Sequence, residues 1–274
     1  MIIINRYYVV TQVIYRVNLT VDQESRLEFF TSFPKDPIHK GSLQLRTGAL
    51  IGLPSTFYYR SVNDVESNSI LVGQEIIDWS SSAGEELQNA LVLSDKAKAF
   101  AIAREIFYVK SFGVHINTVM QTCSLLLAYT SGSVLNDRFL LTLRLKPWAR
   151  FSVFSLIAVA WLSVYIVVND TVQCWYDNSV DESAAKLRKI YAEGGFEYYN
   201  AVLRRNHALR TLLGSRGKRQ FTNYGNVVSV WRNPSVQLTS RRDNLLKYLK
   251  EYEDEAETIA AADDDVKQTD TEAA

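Results

Sequence analysis

Apolar residues form two long uncharged runs along this chain, with shorter alternating and helical patterns before and after them. The second run, residues 151–168, contains 18 residues without a charge, and eleven of them are Val, Leu, Ile or Phe. As a helix this run is about 27 Å long, close to the roughly 30 Å of hydrocarbon in a bilayer. A buried core helix is the alternative, but few core helices contain so many consecutive uncharged residues. The pattern therefore predicts a membrane span at residues 151–168.

The first uncharged run, residues 116–135, is more polar. Its apolar residues are interrupted by several polar side chains, including Asn117, Thr118, Gln121 and Thr122. These groups cancel much of the free energy that insertion into a membrane would gain. Because a clear span follows, we interpret this run as the first arm of a hairpin whose polar side chains hydrogen-bond the second arm instead of facing lipid. The prediction is a two-span hairpin within residues 113–168, with both ends of the chain on one side of the membrane. The small residues 130–133 are the expected point of close helix approach.

Residues 41–112 show strand patterns followed by helical ones. Alternating or β-branched runs predict strands at residues 42–46, 49–53 and 70–79. Ser82 and Ser94 then each precede acidic residues in a first helical turn, an arrangement typical of a helix N-cap. We therefore predict a strand-then-helix domain, whose second helix, residues 96–112, leads toward the first membrane arm.

The segment after the second span, residues 169–250, returns to helical periodicity. It predicts helices over residues 181–213 with a break at Gly194 and Gly195, then a short hairpin over residues 221–231. A final helix is expected from Arg241 to about residue 252, with Ser240 as its cap. This part of the chain is therefore predicted to be a mainly helical domain.

The N-terminal segment, residues 1–40, begins with an apolar stretch that carries Arg6 and Arg16 and has no acidic residue before Asp22. This composition suits a targeting segment or anchor remnant, and equally the start of an ordinary strand or helix. Together the elements predict an α+β membrane protein. A two-span transmembrane helical hairpin lies between a strand-plus-helix domain and a mainly helical C-terminal domain.

The chain has 30 basic and 30 acidic residues and a formal net charge of zero, but its charges are arranged in blocks. Residues 251–274 hold ten acidic residues and one lysine, a net charge of −9, and their composition predicts a disordered tail. Residues 186–250 hold 14 basic and three acidic residues, a net charge of +11. The loop between the two uncharged runs, residues 136–150, has four basic residues and one acid, whereas residues 151–185 have four acids and no base. The positive-inside rule favours this loop on the cytoplasmic or matrix side. Lys96, Lys98, Arg104 and Lys110 lie just before the first span and favour the opposite orientation, so the sequence leaves both open.

Six cations of the basic block lie within sixteen residues of one another: Arg204, Arg205, Arg210, Arg216, Lys218 and Arg219. Anionic lipid headgroups attract such residues by about 1 kcal/mol each near a membrane surface. Nucleic acid would attract them as well, but few aromatic residues are interleaved for base stacking, which disfavours nucleic acid as a partner. We therefore expect membrane lipid to contact these residues. The alternative is a solvated face that the acidic tail partly neutralises.

No constellation of catalytic, cofactor-binding or metal-binding residues stands out. His39, His115 and His207 are scattered, without partners at the spacing of metal ligands or of a nucleophile and its base. Cys123 and Cys174 are too far apart for a Cys-x-x-Cys pair, so packing roles are expected for both. The sequence therefore predicts no catalytic residue, no cofactor and no metal.

Six short blocks occur in a fixed order around the uncharged runs: residues 48–54, 78–84, 101–108, 194–199, 206–214 and 239–243. In this order they resemble the transmembrane protein 177 family of mitochondrial inner-membrane proteins over about residues 45–246. The resemblance implies a multi-pass protein that acts in the biogenesis of cytochrome c oxidase subunit 2. It also implies association with the dedicated membrane chaperone that holds the new subunit before copper insertion, and it implies no enzymatic activity and no cofactor. The N-terminal stretch and the acidic tail depart from the family pattern.

Three functions of different classes follow. The first is a non-enzymatic assembly factor whose partners are oxidase subunit 2, its chaperone and membrane lipid. The second is a membrane-anchored enzyme, which a deep polar pocket with clustered titratable groups would support. The third is an anionic-lipid-binding anchor that uses residues 186–250, and its binding must weaken as salt concentration rises.

Overall fold

The computed structural model describes residues 2–33, 35–65, 71–72, 75–139, 145–229, 232 and 235–272. Within these ranges the chain forms nine α-helices, five strands and two short 3₁₀ helices. The helices are α1 (Ile2–Val17), α2 (Val21–Ser25), α3 (Ser82–Leu91), α4 (Asp95–Lys110), α5 (Gly113–Phe139), α6 (Pro147–Ala185), α7 (Lys189–Leu212), α8 (Gly214–Gln220) and α9 (Leu238–Glu272). The strands are β1 (Leu27–Ser32), β2 (Ile38–Gly41), β3 (Ala49–Pro54), β4 (Leu71–Val72) and β5 (Glu75–Ile76), and the 3₁₀ helices are Ser55–Tyr58 and Val62–Asp64.

Three of the strands form a small sheet with β3 at its centre. β1 pairs with β3 in parallel, and β2 pairs with it in the antiparallel direction. Ala49, Ile51 and Leu53 of β3 are buried, because the strand has a neighbour on each edge and α4 packs against it. The predicted strand at residues 49–53 is confirmed, whereas β1 and β2 lie in the segment where the sequence predicts no sheet.

The predicted strand at residues 42–46 is wrong, because these residues form the turn that connects β2 to β3. Gly41 and Gly48 flank the turn with φ angles of +82° and +74°, which residues with side chains rarely adopt. The Leu43 amide donates to the Val109 carbonyl at 2.8 Å, so the backbone here bonds to the end of α4 and not to a neighbouring strand. Residues 70–79 contain, in their described part, a short antiparallel pair of β4 and β5 instead of one strand.

The two helices after the sheet begin near the predicted caps. The Ser94 hydroxyl accepts a hydrogen bond from the Ala97 amide at 3.1 Å and starts α4, as predicted. Ser81, and not Ser82, starts α3 by accepting from the Gly84 amide at 3.1 Å. Several side chains of α4 are fully enclosed, and burying one such as Phe100 contributes about 2–3 kcal/mol. This helix is therefore the centre of the fold.

Residues 41–112 and 169–250, which the sequence predicts as separate domains, share one hydrophobic core. α4 packs against α1, α6 and α7, and α9 packs against α6 and α7. The core combines side chains from six elements: Val13 of α1, Ile51 of β3, Phe100 of α4, Ala184 of α6, Tyr199 of α7 and Leu245 of α9. The chain therefore runs out of one folded body along α5 and returns to the same body along α6. α1, the predicted targeting segment or helix start, belongs to this body through Val10, Val13 and Val17.

α7 continues through Gly194 and Gly195, where the sequence predicts a break. A Cβ atom at Gly194 would lie 2.2 Å from the Lys96 carbonyl oxygen, and one at Gly195 would lie 2.7 Å from the Phe100 ring. The two glycines let α7 cross α4 at close range, and this packing outweighs the roughly 1 kcal/mol that each glycine costs inside a helix. The interruption lies instead at residues 186–188, between α6 and α7.

α5 and α6 pack against each other as an antiparallel pair. The Tyr165 hydroxyl donates to Asn117 Oδ1 at 2.9 Å, and the Trp161 indole donates to Ser131 Oγ at 3.1 Å. The later residue of α5 thus meets the earlier residue of α6, as antiparallel helices require. Gly132 is buried, and a Cβ atom there would lie 3.1 Å from the Phe154 ring. Close approach at residues 130–133 is therefore confirmed.

Among the described helices, only α6 is long and apolar enough to cross a membrane, and none of its most apolar window is buried. The two-span hairpin is therefore not confirmed, because the polar residues of α5 lower its hydropathy below that of a span. α6 has 39 residues, a length of about 58 Å. It exceeds the thickness of a bilayer and reaches the core with its last turns.

α9 begins at Leu238, three residues before the predicted start, and continues to Glu272. It therefore passes through residues 251–272, where the acidic composition predicts disorder. Residues 238–272 contain no glycine or proline, and alanine and glutamate are strong helix formers. The sequence thus has nothing that stops the helix once residues 238–252 have packed against the core.

Candidate functional site

A network of charged and tyrosine side chains is buried where α6, α7 and α9 meet. Arg241 of α9 donates to the two carboxylate oxygens of Asp181 on α6, at 2.6 Å and 2.8 Å. The Tyr199 hydroxyl of α7 lies 2.8 Å from the same carboxylate. Arg241 and Asp181 are both buried, and a bidentate pair of this kind fixes the orientation of both partners. The network therefore holds α9 against α6.

Asp177 lies one turn before Asp181 on α6 and joins the network to α4. It accepts a hydrogen bond from the Tyr108 hydroxyl and, at 3.3 Å, one from the Val236 amide. Burial raises the pKa of Asp177 above its ordinary value, although the nearby Arg241 cation opposes this shift. The sequence pattern that marks this network is faint: two acids four residues apart at the end of an apolar helix.

Glu105 of α4 is a second buried carboxylate. The Arg104 guanidinium donates to Glu105 Oε1 at 2.6 Å and 3.0 Å, and His39 Nδ1 lies 2.6 Å from Glu105 Oε2. Burial alone would raise the pKa of Glu105, but the charge of Arg104 and the hydrogen bond with His39 lower it below its ordinary value. Arg104 Nη1 also lies 3.4 Å from the Tyr199 hydroxyl, which links the two carboxylate centres.

A cleft of about 480 Å³ opens beside this network. One wall comes from α4, α7 and α9, and it presents Arg104, Tyr198, Tyr199, Arg205 and Arg241. The lining also includes the described residues of the segment between α8 and α9: Val227, Val228, Ser229, Arg232, Ser235, Val236 and Gln237. The cleft therefore combines arginine and tyrosine groups with apolar side chains.

One rim of the cleft lies at the end of the candidate membrane span. The Arg232 guanidinium donates to both oxygens of Asp170, with Nε at 2.8 Å from Oδ2 and Nη2 at 2.8 Å from Oδ1. Asp170 is two residues beyond the apolar run 151–168. One edge of the cleft is thus bonded to α6 just after the end of its apolar run.

The six cations expected to contact an anionic surface do not lie on one surface. Arg205 is buried and donates to Asp36 at 2.8 Å and 3.0 Å. Arg210 donates to the Phe221 carbonyl at 2.6 Å and holds the chain after α8. The other four are exposed: Arg204, Arg216, Lys218 and Arg219. Successive helical residues point about 100° apart, so the neighbouring arginines of α7 face opposite environments.

Two of the scattered histidines pair with glutamates, and the expected packing role is wrong for Cys123. His39 pairs with Glu105, and His207 Nδ1 lies 3.1 Å from Glu86 Oε2. Cys123 is exposed on α5. Across the described ranges, no group of three or more His, Cys, Asp and Glu side chains is arranged to hold a metal ion.

α5 carries polar residues on a face that α6 does not cover. Thr118, Gln121 and Thr122 are all exposed. The two threonine hydroxyls donate at 2.9 Å to carbonyls of their own helix, whereas the Gln121 carboxamide has no hydrogen-bond partner among the described residues. The prediction that the polar residues of this arm bond the second arm is correct for Asn117 but wrong for these three. We call Thr118, Gln121 and Thr122 the polar face of α5.

A family model described as Transmembrane protein 177 matches residues 30–264, from the first strand into α9. The chain belongs to the transmembrane protein 177 family. A member of that family from Rattus norvegicus is 33% identical over 221 residues, which cover 80% of this chain and 70% of that protein. The Homo sapiens member is 32% identical over 221 residues, 80% of this chain and 70% of that protein. The Danio rerio member is 32% identical over 245 residues, 84% of this chain and 76% of that protein.

The transmembrane protein 177 family is a membrane protein family, which agrees with the candidate span in α6. No solved structure matches this chain.

Proposed function

We propose that this protein is a non-enzymatic assembly factor of the mitochondrial inner membrane that acts in the biogenesis of cytochrome c oxidase subunit 2. In this role it stabilises the complex between the new subunit and its dedicated membrane chaperone. Membership in the transmembrane protein 177 family supports the proposal, because resemblance to that family implies this client and this chaperone. The structure adds support through the surface that α5 offers to a partner.

The polar face of α5 is the observation that carries the proposal. In this proposal α5 is a second membrane arm beside α6. Inside a bilayer the Gln121 carboxamide finds no water, so it is stable there only against another polar group. α6 does not supply that group, and a membrane helix of a partner protein would. The polar face of α5 is therefore the proposed binding surface for the client or the chaperone.

The proposed orientation places the basic loop, residues 136–150, in the matrix. The loop has three more basic than acidic residues, and residues 151–185 carry four acids without a base, which is the charge asymmetry of the positive-inside rule. With two spans, the folded body that contains both termini then lies in the intermembrane space.

Site-specific photocrosslinking in intact mitochondria tests the proposal. A photoreactive residue at Gln121 should crosslink to oxidase subunit 2 or to its chaperone. The matched control is a photoreactive residue at Val119, which is also exposed. It lies about 3 Å away in depth and about 160° around the helix, so it should face lipid and give little of either product. Equal crosslinking at the two positions would contradict the proposal that the polar face of α5 is the binding surface.

Gene deletion tests the function itself. Normal levels of newly made subunit 2 and of its chaperone after the deletion would contradict it.

The cleft meets one expectation of the enzyme alternative, because it is polar and lined by titratable groups. The one carboxylate among its described lining residues, however, is held by an arginine, because Arg205 engages both oxygens of Asp36. A general base must have a free lone pair directed at a substrate proton. This arrangement therefore favours a structural or binding role for the cleft over catalysis.

A second candidate function is an anionic-lipid-binding anchor. The observation that favours it is the exposure of Arg204, Arg216, Lys218 and Arg219. Four such residues contribute about 4 kcal/mol of attraction if all approach an anionic surface. Binding to cardiolipin vesicles that weakens as salt rises supports this function, and absent or salt-insensitive binding removes it.

A further inference from the structure

Three hydrogen-bond donors of the cleft are without an acceptor in the described part of the chain. Arg205 Nε is fully buried and has no partner, although the other two nitrogens of this guanidinium are bonded. The Tyr198 hydroxyl and the Lys35 ammonium group also have no hydrogen-bond partner there. All three residues line both the large cleft and a smaller cavity that adjoins it. A buried donor such as Arg205 Nε is unfavourable without an acceptor, so an acceptor bound here would be stabilised.

The charges around these donors favour an anion. Asp36 accepts hydrogen bonds from Arg205 through both carboxylate oxygens, so this pair is neutral as a unit. Lys35 has no carboxylate within ion-pair distance in the described ranges, which leaves a local charge of +1. Burial and the charge of Arg205 lower the pKa of Lys35, despite the opposing effect of Asp36. The carboxylate of Asp36 therefore only partly offsets the positive charge here, and an anion would offset the rest.

The number of donors points to phosphate. They come from three separate side chains, and a phosphate monoester offers three terminal oxygens, one for each donor, together with a charge of about −1.5 to −2 at pH 7. The walls around the donors are partly apolar, with Val202, Val227 and Val236 among their residues. The Arg232–Asp170 pair ties one rim to the end of the membrane span. The phosphate of a lipid headgroup or a free phosphate group would both meet this chemistry.

We propose that the cleft binds a phosphate group through Lys35, Tyr198 and Nε of Arg205. This function goes beyond assembly of the oxidase and does not depend on it. The site is distinct from the four exposed cations of the basic block, because Lys35, Tyr198 and Arg205 line the cleft and none of those four does. Arg204, the neighbour of Arg205 on α7, is exposed and does not line the cleft, so it serves as the control residue.

Ligand-induced thermal stabilisation of the full chain in neutral detergent tests the proposal. One arm titrates inorganic phosphate against sodium chloride at equal ionic strength, and the other titrates short-chain phosphatidic acid against short-chain phosphatidylcholine. Stabilisation by inorganic phosphate beyond the salt control identifies a free phosphate site. Stabilisation by phosphatidic acid alone identifies a lipid headgroup site. If neither ligand raises the unfolding temperature above its control, the proposal is wrong.

Variants decide whether the named residues bind the phosphate. Lys35→Gln removes one charged donor from an exposed lysine, so folding is preserved, and the hydrogen bond that it removes is charge-assisted. We therefore expect Lys35→Gln to weaken binding about tenfold and Tyr198→Phe to weaken it several-fold. Arg204→Gln makes the same change in charge outside the cleft and should leave binding unchanged. An Arg204→Gln effect as large as that of Lys35→Gln, or no effect of Lys35→Gln, would overturn the assignment.

Discussion

Glu105 shows how the fold sustains a charge inside its core. The residue is buried, and its two carboxylate oxygens are engaged by Arg104 and by His39. These partners hold the pKa of Glu105 below the ordinary value of 4.5, against the opposing effect of burial. The unfolded chain therefore takes up the proton before the folded chain does. The stabilisation by Glu105 is complete above pH 4.5 and is lost as pH falls through the lowered pKa.

Replacing Glu105 tests this account at the scale of one residue. Glu105→Gln leaves the partly buried Arg104 guanidinium without a carboxylate, so we expect a loss of about 3 kcal/mol in the free energy of unfolding at pH 7. The difference from the unchanged protein should shrink as pH falls below 4.5, because the native glutamate then loses its charge as well. Denaturant unfolding of the protein in detergent measures both effects. Glu253→Gln, at an exposed position, is the control and should change stability little. If the difference in unfolding free energy between the two proteins stays constant from pH 7 to pH 3, the charge of Glu105 is not the source of the stabilisation.

At the scale of elements, the crossing of α4 and α7 organises the folded body. Gly194 brings α7 onto the α4 backbone, since its own Cβ position lies 2.2 Å from the Lys96 carbonyl oxygen. The crossing also positions Tyr199 between Arg104 and Asp181. A local substitution at the crossing therefore affects both the packing and the buried network.

Two glycine substitutions separate close packing from backbone conformation. Gly194→Ala places a methyl group against backbone atoms that cannot rotate away, and we expect it to destabilise the protein by about 3 kcal/mol or more. Gly214→Ala meets no atom within 4 Å but retains a φ of +54°, so its expected cost is only about 1 kcal/mol. Denaturant midpoints of the two variants supply the comparison. Equal losses would show that packing at Gly194 is not the cause of the close crossing.

The whole molecule is one folded body from which α5 and α6 project, with its charge blocks placed at different ends. α9 starts near the cleft, where Arg241 binds Asp181, and its Tyr252 hydroxyl donates to the Ala185 carbonyl at 3.3 Å, at the far end of α6. The acidic residues follow this point on a helix of 35 residues, about 52 Å long. They therefore extend from the start of α7, whereas α8 and its exposed cations follow the end of α7. α7 has 24 residues and is about 36 Å long, which exceeds the Debye length of about 8 Å at physiological salt.

Truncation tests whether the acidic tail neutralises the basic surface. Removing residues 256–274 keeps the part of α9 that contacts the core, and we expect the affinity for anionic vesicles to remain that of the full chain. The measurement is co-sedimentation with cardiolipin-containing vesicles at physiological salt, with neutral vesicles as the control. Stronger binding by the truncated chain would mean that the tail folds back onto the exposed cations.

The sequence by itself determined the features that depend on neighbouring residues. The apolar run 151–168 identified the candidate span, Ser94 identified the start of α4, and residues 49–53 identified the central strand. The ordered blocks also identified the family. Each of these signals is local, because hydropathy, capping and strand alternation act over a few residues along the chain.

Only the tertiary structure decided which side chains face each other across long separations. Arg204 and Arg205 have the same chemistry in sequence, yet only Arg205 turns inward to meet Asp36, 169 residues earlier. From the sequence, Gly194 predicts a helix break, but the structure shows α4 packed against it. The sequence also predicts that Gln121 bonds α6, but its side chain is exposed and has no partner among the described residues. The physical reason is common to all three. Whether a side chain is buried or hydrogen-bonded depends on segments that are distant in the sequence. Local periodicity does not encode which segments those are.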